Sequence, residues 1–456
     1  MPLTVVILAA GQGKRMHSRL PKVLQPLAGR PMLAHVIDRA RSLKADGIHI
    51  VYGHGGEAVR AAFQDPGVTW HEQAEQLGTG HAVAQALPSI PDDHTVLVLL
   101  GDVPLITETT LDALVHGGED NGLALLTAEL DDPAGYGRIR RGLDGSVAGI
   151  VEEADASDDE RKITEINTGL MAGSAAKLRE WISRLDRGNA QGEYYLTDIV
   201  AYAVDDGINV VGVNLIDADE SLGINDKLQL AAAERTIQRR ISEKLMRSGL
   251  GIADPARFDV RGELEVGTDV YVDVDTVFIG NVRLGDGCRI GPHVVIKDSE
   301  LGPGTVVHPS SVIDGLVTGA NCQIGPFARI RPETKLADGV RIGNFVEAKK
   351  SEIGAGSKVN HLSYVGDTTI GTTVNVGAGT ITCNYDGANK HRTTIGDDVF
   401  VGSGVNLVAP ITIGAGATIG AGSTLTKDAP AGELSIARTR QTSVPGWKRP
   451  TKKPAS

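Results

Sequence analysis

Aromatic residues are scarce in this 456-residue chain, at 4%, and only 3 of its residues are cysteine. Cys288, Cys322 and Cys383 give neither an even disulfide set nor a close-spaced metal pair, so reduced thiols are expected. Positive charge is not in excess either. A formal net charge of −12 excludes a general nucleic-acid binder, which needs a basic footprint, but leaves room for a locally basic pocket. Apolar runs of membrane-spanning length are missing, so no membrane partner is expected. Leu3 to Ala10 has the hydrophobicity of a signal core, yet no positive segment precedes it and a glycine loop follows it. These features together predict a cytoplasmic location.

What the chain does have is glycine, 57 residues of it, and a period. Val260, Val266, Val272, Phe278, Leu284, Ile290 and Ile296 are apolar at unbroken six-residue spacing. After a slip of one, Ile324, Ile330, Leu336 and Ile342 resume it, and Ile395, Val401, Leu407, Ile413, Ile419 and Leu425 close it. Six is far from a multiple of 3.6, so no helix explains the pattern. An even period keeps each aliphatic on one side of short extended segments, with glycine, Asp and Asn turning the chain between them. The spacing predicts a parallel β-helix whose stacked coils bury a column of aliphatics. Such a glycine-turned solenoid also accounts for the shortage of aromatics. One stretch, Thr382 to His391, breaks the repeat and is expected to leave the coil as a loop.

The first half reads differently. Val5 to Leu8 is a short apolar run suited to a strand buried on both faces, and it ends in Ala9-Ala10-Gly11-Gln12-Gly13-Lys14-Arg15-Met16. Small residues there let backbone N–H groups approach a phosphate, and Lys14 and Arg15 add charge. Met16 stands where a dinucleotide fingerprint has its third glycine, and Arg15 stands where a P-loop has Ser or Thr. A tight turn without ligand is the competing reading. Pro31 to Arg41 reads as a helix, and Ile48 to Tyr52 and Val96 to Leu100 as strands. The alternation predicts an α/β layer with a mostly parallel sheet. Asp102 follows the last of these strands, where ligands bind in open α/β sheets, and its carboxylate suits Mg²⁺ shared with phosphates. A helix cap or turn residue is the alternative for Asp102. Asp226 to Ser248 has apolar residues at three- and four-residue steps and predicts one long helix, capped by Asn225 or Asp226 and ended at Gly249. From spacing alone, His361 reads as a surface or packed imidazole and Lys349-Lys350 as a solvated charge pair. The basic tail from Pro445 is expected to lie against the body or to be disordered.

The motifs carry a resemblance that spacing cannot. Leu8 to Met16, Pro21-Lys22-Val23-Leu24, Gln76 to Ala82, Gly101-Asp102-Val103-Pro104, Gly135 to Ile139, Glu165 to Gly169 and Gly192 to Tyr195 resemble a sugar-phosphate nucleotidyltransferase. Gly343 to Glu347, Gly377 to Thr380 and Asn384-Tyr385-Asp386-Gly387 resemble a hexapeptide acyltransferase. In this order they resemble the bacterial bifunctional N-acetylglucosamine-1-phosphate uridylyltransferase/glucosamine-1-phosphate N-acetyltransferase family over nearly the whole chain. The resemblance implies a Rossmann-like domain over residues 1–225, a helical linker over 226–249 and a left-handed, trimerising β-helix over 250–456.

It also implies the site residues. Leu8, Ala9, Ala10, Gly11, Lys22, Gln73, Gly78 and Thr79 would hold the nucleotide, with Gly101 and Asp102 beside them. Gly137, Glu152, Asn167 and Asn225 would complete the sugar pocket, Asp102 and Asn225 would bind Mg²⁺, and Arg15 would stabilise phosphates. In the second site His361 would be the base, with Arg331, Lys349, Tyr364 and Asn375 around the sugar phosphate. Ala378, Asn384, Tyr385, Ser403, Ala421 and Arg438 would meet acetyl-CoA. The implied substrates are UTP, glucosamine 1-phosphate, N-acetylglucosamine 1-phosphate and acetyl-CoA. Two other readings remain open: a single-activity nucleotidyltransferase with a structural β-helix, and a non-enzymatic scaffold. His361 and the Asn384-Tyr385 loop weigh against the first, Lys22 and Asp102 against the second.

Overall fold

The computed structural model describes residues 2–11, 13–119 and 122–452; Gln12 of the glycine loop and the last four residues of the tail lie outside them. The chain divides into two compact units, 1–240 and 241–456, and the division falls inside the helix Lys227–Arg247. Asp226 caps that helix by accepting from the Gln229 N–H at 2.8 Å. Gly249, at φ +108°, ends it.

The first unit is built on a nine-stranded sheet. Its strands are β1 (Leu3–Ala9), β2 (Gly47–Tyr52), β3 (Thr69–Glu72), β4 (Thr95–Leu100), β5 (Leu123–Glu129), β6 (Gly137–Arg141), β7 (Val147–Val151), β8 (Glu165–Ser174) and β9 (Val210–Asn214). Across the sheet they run β9-β5-β8-β4-β1-β2-β3, and the β6–β7 hairpin hangs from β8. β1 pairs parallel with β2 on one side and β4 on the other, and Val5, Val6 and Ile7 are fully buried, as a strand covered on both faces requires. The chain leaves β1 toward β2 but returns on the opposite side as β4. That reversal opens a crevice beyond the carboxyl ends of β1 and β4. The expected helix appears as Met32–Ser42.

The second unit is a solenoid of short parallel strands. Phe278 stacks on Ile296, Ile296 on Ile313, Ile313 on Ile330, Ile330 on Ala348 and Ala348 on Val365. The six-spaced aliphatics are the core, and each one fully buried contributes about 1.5–3 kcal/mol. Val266 is only partly buried, because its strand (Phe258–Val266) begins its sheet and has a neighbour on one side.

The corners explain the period and correct its reading. In most six-residue steps the third residue after the aliphatic is left-handed, as are Asp275 after Val272, His293 after Ile290 and Phe327 after Ile324, with φ of 56°, 58° and 56°; the step from Phe278 to Leu284 turns instead at Gly280, φ 68°. Some steps have five residues, and there the left-handed residue comes one place earlier, as Asp298 does after Ile296 and Gly315 after Ile313. Between Ile296 and Ile324 there are two such short corners, Ile296 to Leu301 and Ile313 to Thr318, where the spacing suggested a single slip. The solenoid tolerates both because each corner is closed by its own left-handed residue. Beyond Ile436 the described tail is irregular and exposed, with Trp447 69% exposed.

Candidate functional sites

In the first unit the crevice is walled by residues that follow strands. Leu8 and Ala9 end β1 and Ala10 and Gly11 continue it, and Gly101 and Asp102 continue β4, with the Gly101 N–H donating to the Leu8 carbonyl at 2.9 Å. Two adjoining cavities share Leu8, Thr79, Leu100 and Asp102. One, of about 540 Å³, is lined by Leu8 to Gly11, Lys22, Gln73, Gly78, Thr79 and Asp102. The other, of about 330 Å³, is lined by Leu8, Arg15, Thr79, Asp102, Gly137, Glu152, Asn167 and Asn225. Of the residues expected here, Gly101 alone lines neither; it is buried and held by its backbone.

Lys22 is the hub of this crevice. Its ammonium pairs with the Asp102 carboxylate and donates to Asn225 Oδ1 at 2.9 Å. Its stem rests on Gly13, where an added Cβ would come within 2.6 Å of Lys22 Cβ. Two oxygens thus converge on one cationic point, one from a carboxylate and one from an amide. A hard, oxygen-seeking ion that keeps open positions for phosphate oxygens suits such a pair, so Asp102 and Asn225 fit Mg²⁺. Among the described residues, no group of three or more His, Cys, Asp or Glu forms a metal cage. Gly78 has φ +112° and an added Cβ would strike the Tyr194 carbonyl at 2.6 Å, so the loop before the helix Thr79–Ala86 admits only glycine. Gln73, buried, donates to the Gly78 carbonyl at 3.0 Å. Glu152 accepts from Thr197 Oγ1 at 2.8 Å, and burial pushes its carboxyl above the usual range.

The second unit carries two groups, at the two ends of the strand Glu347–Lys349. At one end, stacking aligns Asn344 with His361. Below His361 the Gly379 N–H donates to its carbonyl, the Gly404 N–H to that of Ala378, and the Gly422 N–H to that of Ser403. Arg438 Nη1 donates to the Ala421 carbonyl at 2.6 Å. His361, Ala378, Ser403, Ala421 and Arg438 therefore descend one corner. The exposed corner residues above are bulky (Phe327, Phe345, Leu362), whereas those below are Gly379, Gly404 and Gly422. The bulky ridge gives way to bare glycine backbone beneath the histidine. Asn344 Oδ1 accepts from His361 Nδ1 at 2.9 Å, which leaves the Nε2 lone pair outward.

At the other end, Arg331 Nη1 donates to Glu347 Oε1 at 2.9 Å, which holds the guanidinium firmly charged. Lys349 stands on the next coil. Lys390, which sequence reasoning passed over, comes from the extruded loop to touch it; this contact, the Lys390 charge, burial and then Arg331 hold the Lys349 amine below the usual lysine range. Three cations gathered on one side call for an anion. Asn384 Nδ2 donates to Asp367, and the bare Cα of Gly366 makes room for Tyr364 Oη and the Asn384 amide. Tyr385 is exposed and donates to the Gly387 carbonyl at 2.6 Å. Asn375 belongs to neither group: it lies mid-face, paired with Lys358 and Phe400. Asn344 and Lys390 have no signal in spacing, because each earns its place through a stacked coil or a loop.

Residues 5–165 match the MobA-like NTP transferase domain, and residues 264–298 and 392–427 match the bacterial transferase hexapeptide (six repeats). The bifunctional protein GlmU of Alkalilimnicola ehrlichii is 57% identical over 452 residues, covering 99% of this chain and 97% of that protein. GlmU of Marinobacter nauticus is 56% identical over 451 residues, 99% of each chain. GlmU of Aromatoleum aromaticum is 58% identical over 453 residues, 99% of this chain and all of its own.

Proposed function

Because the chain belongs to the family of bifunctional GlmU proteins, we propose a residue-level account of how its two units share the synthesis of UDP-N-acetylglucosamine. The protein is a bifunctional transferase. The solenoid unit moves the acetyl group of acetyl-CoA to glucosamine 1-phosphate. The α/β unit then joins N-acetylglucosamine 1-phosphate to the uridylyl group of UTP and releases pyrophosphate.

In the α/β crevice the 540 Å³ cavity receives the nucleotide and the 330 Å³ cavity the sugar phosphate. A phosphate oxygen of the sugar attacks the α-phosphorus of UTP and the bond to pyrophosphate breaks. Both reactants are anions, so Lys22 and Arg15 offset their repulsion and the charge that grows on the leaving group. Asp102 and Asn225 would hold Mg²⁺, which would supply further charge neutralisation. Lys22 keeps those two oxygens together before substrate arrives. Glu152, Asn167 and the bare backbone of Gly137 receive the sugar.

In the solenoid the amine of glucosamine 1-phosphate attacks the thioester carbonyl. The amine proton passes to His361 Nε2, the C–S bond breaks, and His361 returns the proton to the departing sulfur so that CoA leaves as its thiol. Asn344 fixes the imidazole so that this nitrogen faces the amine. Arg331, Lys349 and Lys390 anchor the phosphate, with Tyr364 beside the sugar. The glycine channel below His361, with Ala378, Ser403, Ala421 and Arg438, takes the extended acetyl-CoA, and Asn384 and Tyr385 approach it from the loop. The observation that carries the acetyl-transfer roles is this change from bulky to bare corner residues directly under an oriented histidine.

The phosphate anchor and the histidine column occupy different corners of one chain. Three copies packed about an axis set one corner against another, and Phe327, Phe345 and Leu362 offer the apolar ridge for that contact, so the protein works as a homotrimer. No described helix is long and apolar enough to cross a membrane, and the substrates belong to a cytoplasmic route. Incubating the purified protein with glucosamine 1-phosphate, acetyl-CoA, UTP and Mg²⁺, and omitting each in turn, tests the assignment. UDP-N-acetylglucosamine should form only from the complete mixture.

A further inference from the structure

The loop from Asn384 to His391 has almost no core to hold it. Coils elsewhere stack at intervals of 17 or 18 residues, as Ile353 does on Ile370 and Ile395 on Ile413. Across this loop the interval lengthens, with Thr382 stacked on Leu407. Every residue from Tyr385 to Lys390 is exposed. Ordering such a segment costs conformational entropy with no apolar burial to offset it.

Polar contacts supply the shape, and one side chain makes three of them. Asp386 Oδ1 accepts from the N–H groups of Ala388 at 2.8 Å and Asn389 at 2.6 Å. Asp386 Oδ2 accepts from His391 Nε2 at 2.6 Å. Around this hub the chain reverses: the Asp386 N–H donates to the Asn389 carbonyl, the His391 N–H to the Asn384 carbonyl, and Tyr385 bridges antiparallel to Lys390. The reversal delivers Lys390 against Lys349, a contact between two ammonium groups that repel each other and that Arg331 makes worse. Some fixed structure has to hold Lys390 there before an anion arrives.

We propose that Asp386 is a positioning residue for acetyl transfer: it folds the loop so that Lys390 is pre-placed beside Lys349 and Arg331 to receive the phosphate of glucosamine 1-phosphate. This rests on the acetyl-transfer reading above. Pre-placement removes from the binding step both the ordering of the loop and the repulsion between the amines. The depressed Asp386 carboxyl, held down by the Asn389 N–H, then His391 and the Ala388 N–H, is the expected mark of such a hub.

The test uses the full-length protein with both activities measured on each preparation. Wild-type acetyl transfer comes first, since its absence would overturn the functional reading and not this one. Asp386→Ala should raise KM for glucosamine 1-phosphate about 10-fold, with a smaller change in kcat and unchanged uridylyl transfer. Asp386→Asn retains an oxygen for the two loop N–H groups and should recover most of the loss. The decisive variant is Asp386→Ala combined with Lys390→Ala, which should be no worse than Lys390→Ala alone, because one residue acts through the other. Additive effects, or an Asp386→Ala enzyme with wild-type KM, would overturn the proposal. So would an equal loss of kcat and of folded protein.

Discussion

Lys22 and Asn225 lie 203 positions apart in sequence, yet the lysine ammonium donates to the Asn225 amide oxygen at 2.9 Å while also pairing with Asp102. The contact ties the loop after Pro21 to the start of the long helix. It gathers at one point the cation and the two oxygens on which uridylyl transfer is proposed to depend.

Replacing Asp102 with Asn keeps the shape of that point and removes its charge. Uridylyl transfer should fall at least about 100-fold, because a fixed charge at a developing phosphate charge is lost. Acetyl transfer should persist, since the residues proposed for it lie on the solenoid. Assaying both activities on one preparation decides it; an equal loss of the two would point to misfolding.

His361→Ala should lower acetyl transfer by about 10²–10⁴-fold and leave uridylyl transfer from supplied N-acetylglucosamine 1-phosphate intact. A folded variant with near wild-type acetyl transfer would reject His361 as the base.

Asn344 accepts from His361 Nδ1 and so selects the tautomer and the ring orientation. Asn344→Ala should reduce kcat for acetyl transfer about 10-fold with little change in KM for acetyl-CoA. Asn344→Asp, which still offers an oxygen to Nδ1–H, should retain more activity than Asn344→Ala. The reverse order would show that the contact does not orient the base.

A different histidine governs acid stability. His49 Nδ1 and His71 Nε2 are 2.8 Å apart, the rings stack at 5.0 Å, and Thr4 joins the same cluster through His94 at 2.8 Å. Burial first, then His71 and His94, lower the His49 pKa to about 4, against an unfolded value of about 6.5. The folded state therefore binds fewer protons than the unfolded one between those values, and its stability falls as pH drops from about 6.5 to about 4. The melting temperature should fall across that window, and His49→Gln should flatten the curve there. Depressed carboxylates such as Asp254, hydrogen-bonded by Arg257, lose their contribution at lower pH and should leave a separate acid limb.

The ridge of Phe327, Phe345 and Leu362 should be covered in the assembled protein. Phe327 and Phe345 rings stack at 5.3 Å, and each is about half exposed in one chain. Phe345→Asp should shift sedimentation from trimer toward monomer and lower acetyl transfer more than uridylyl transfer. A wild-type protein that sediments as a monomer at micromolar concentration would remove the trimer.

The solenoid was legible from the sequence by itself, because a corner every six residues forces one aliphatic inward each time and the burial leaves a period that can be counted. So were the crevice loops, since glycines and Asp102 directly follow apolar strands, and the loop at Asn384, since it interrupts the count. The two short corners between Ile296 and Ile324 were not, because a left-handed Asp298 or Gly315 looks like any other turn residue in sequence. Nor could spacing place Asn344 over His361, Ala378 and Ser403 beneath it, or Lys390 against Lys349. Those neighbours are separated by coils of unequal length and by an inserted hairpin, and only stacking sets the register that brings them together. Lys22, Asp102 and Asn225 meet for a similar reason: the strand order reverses beside β1, and that reversal is a property of the folded sheet.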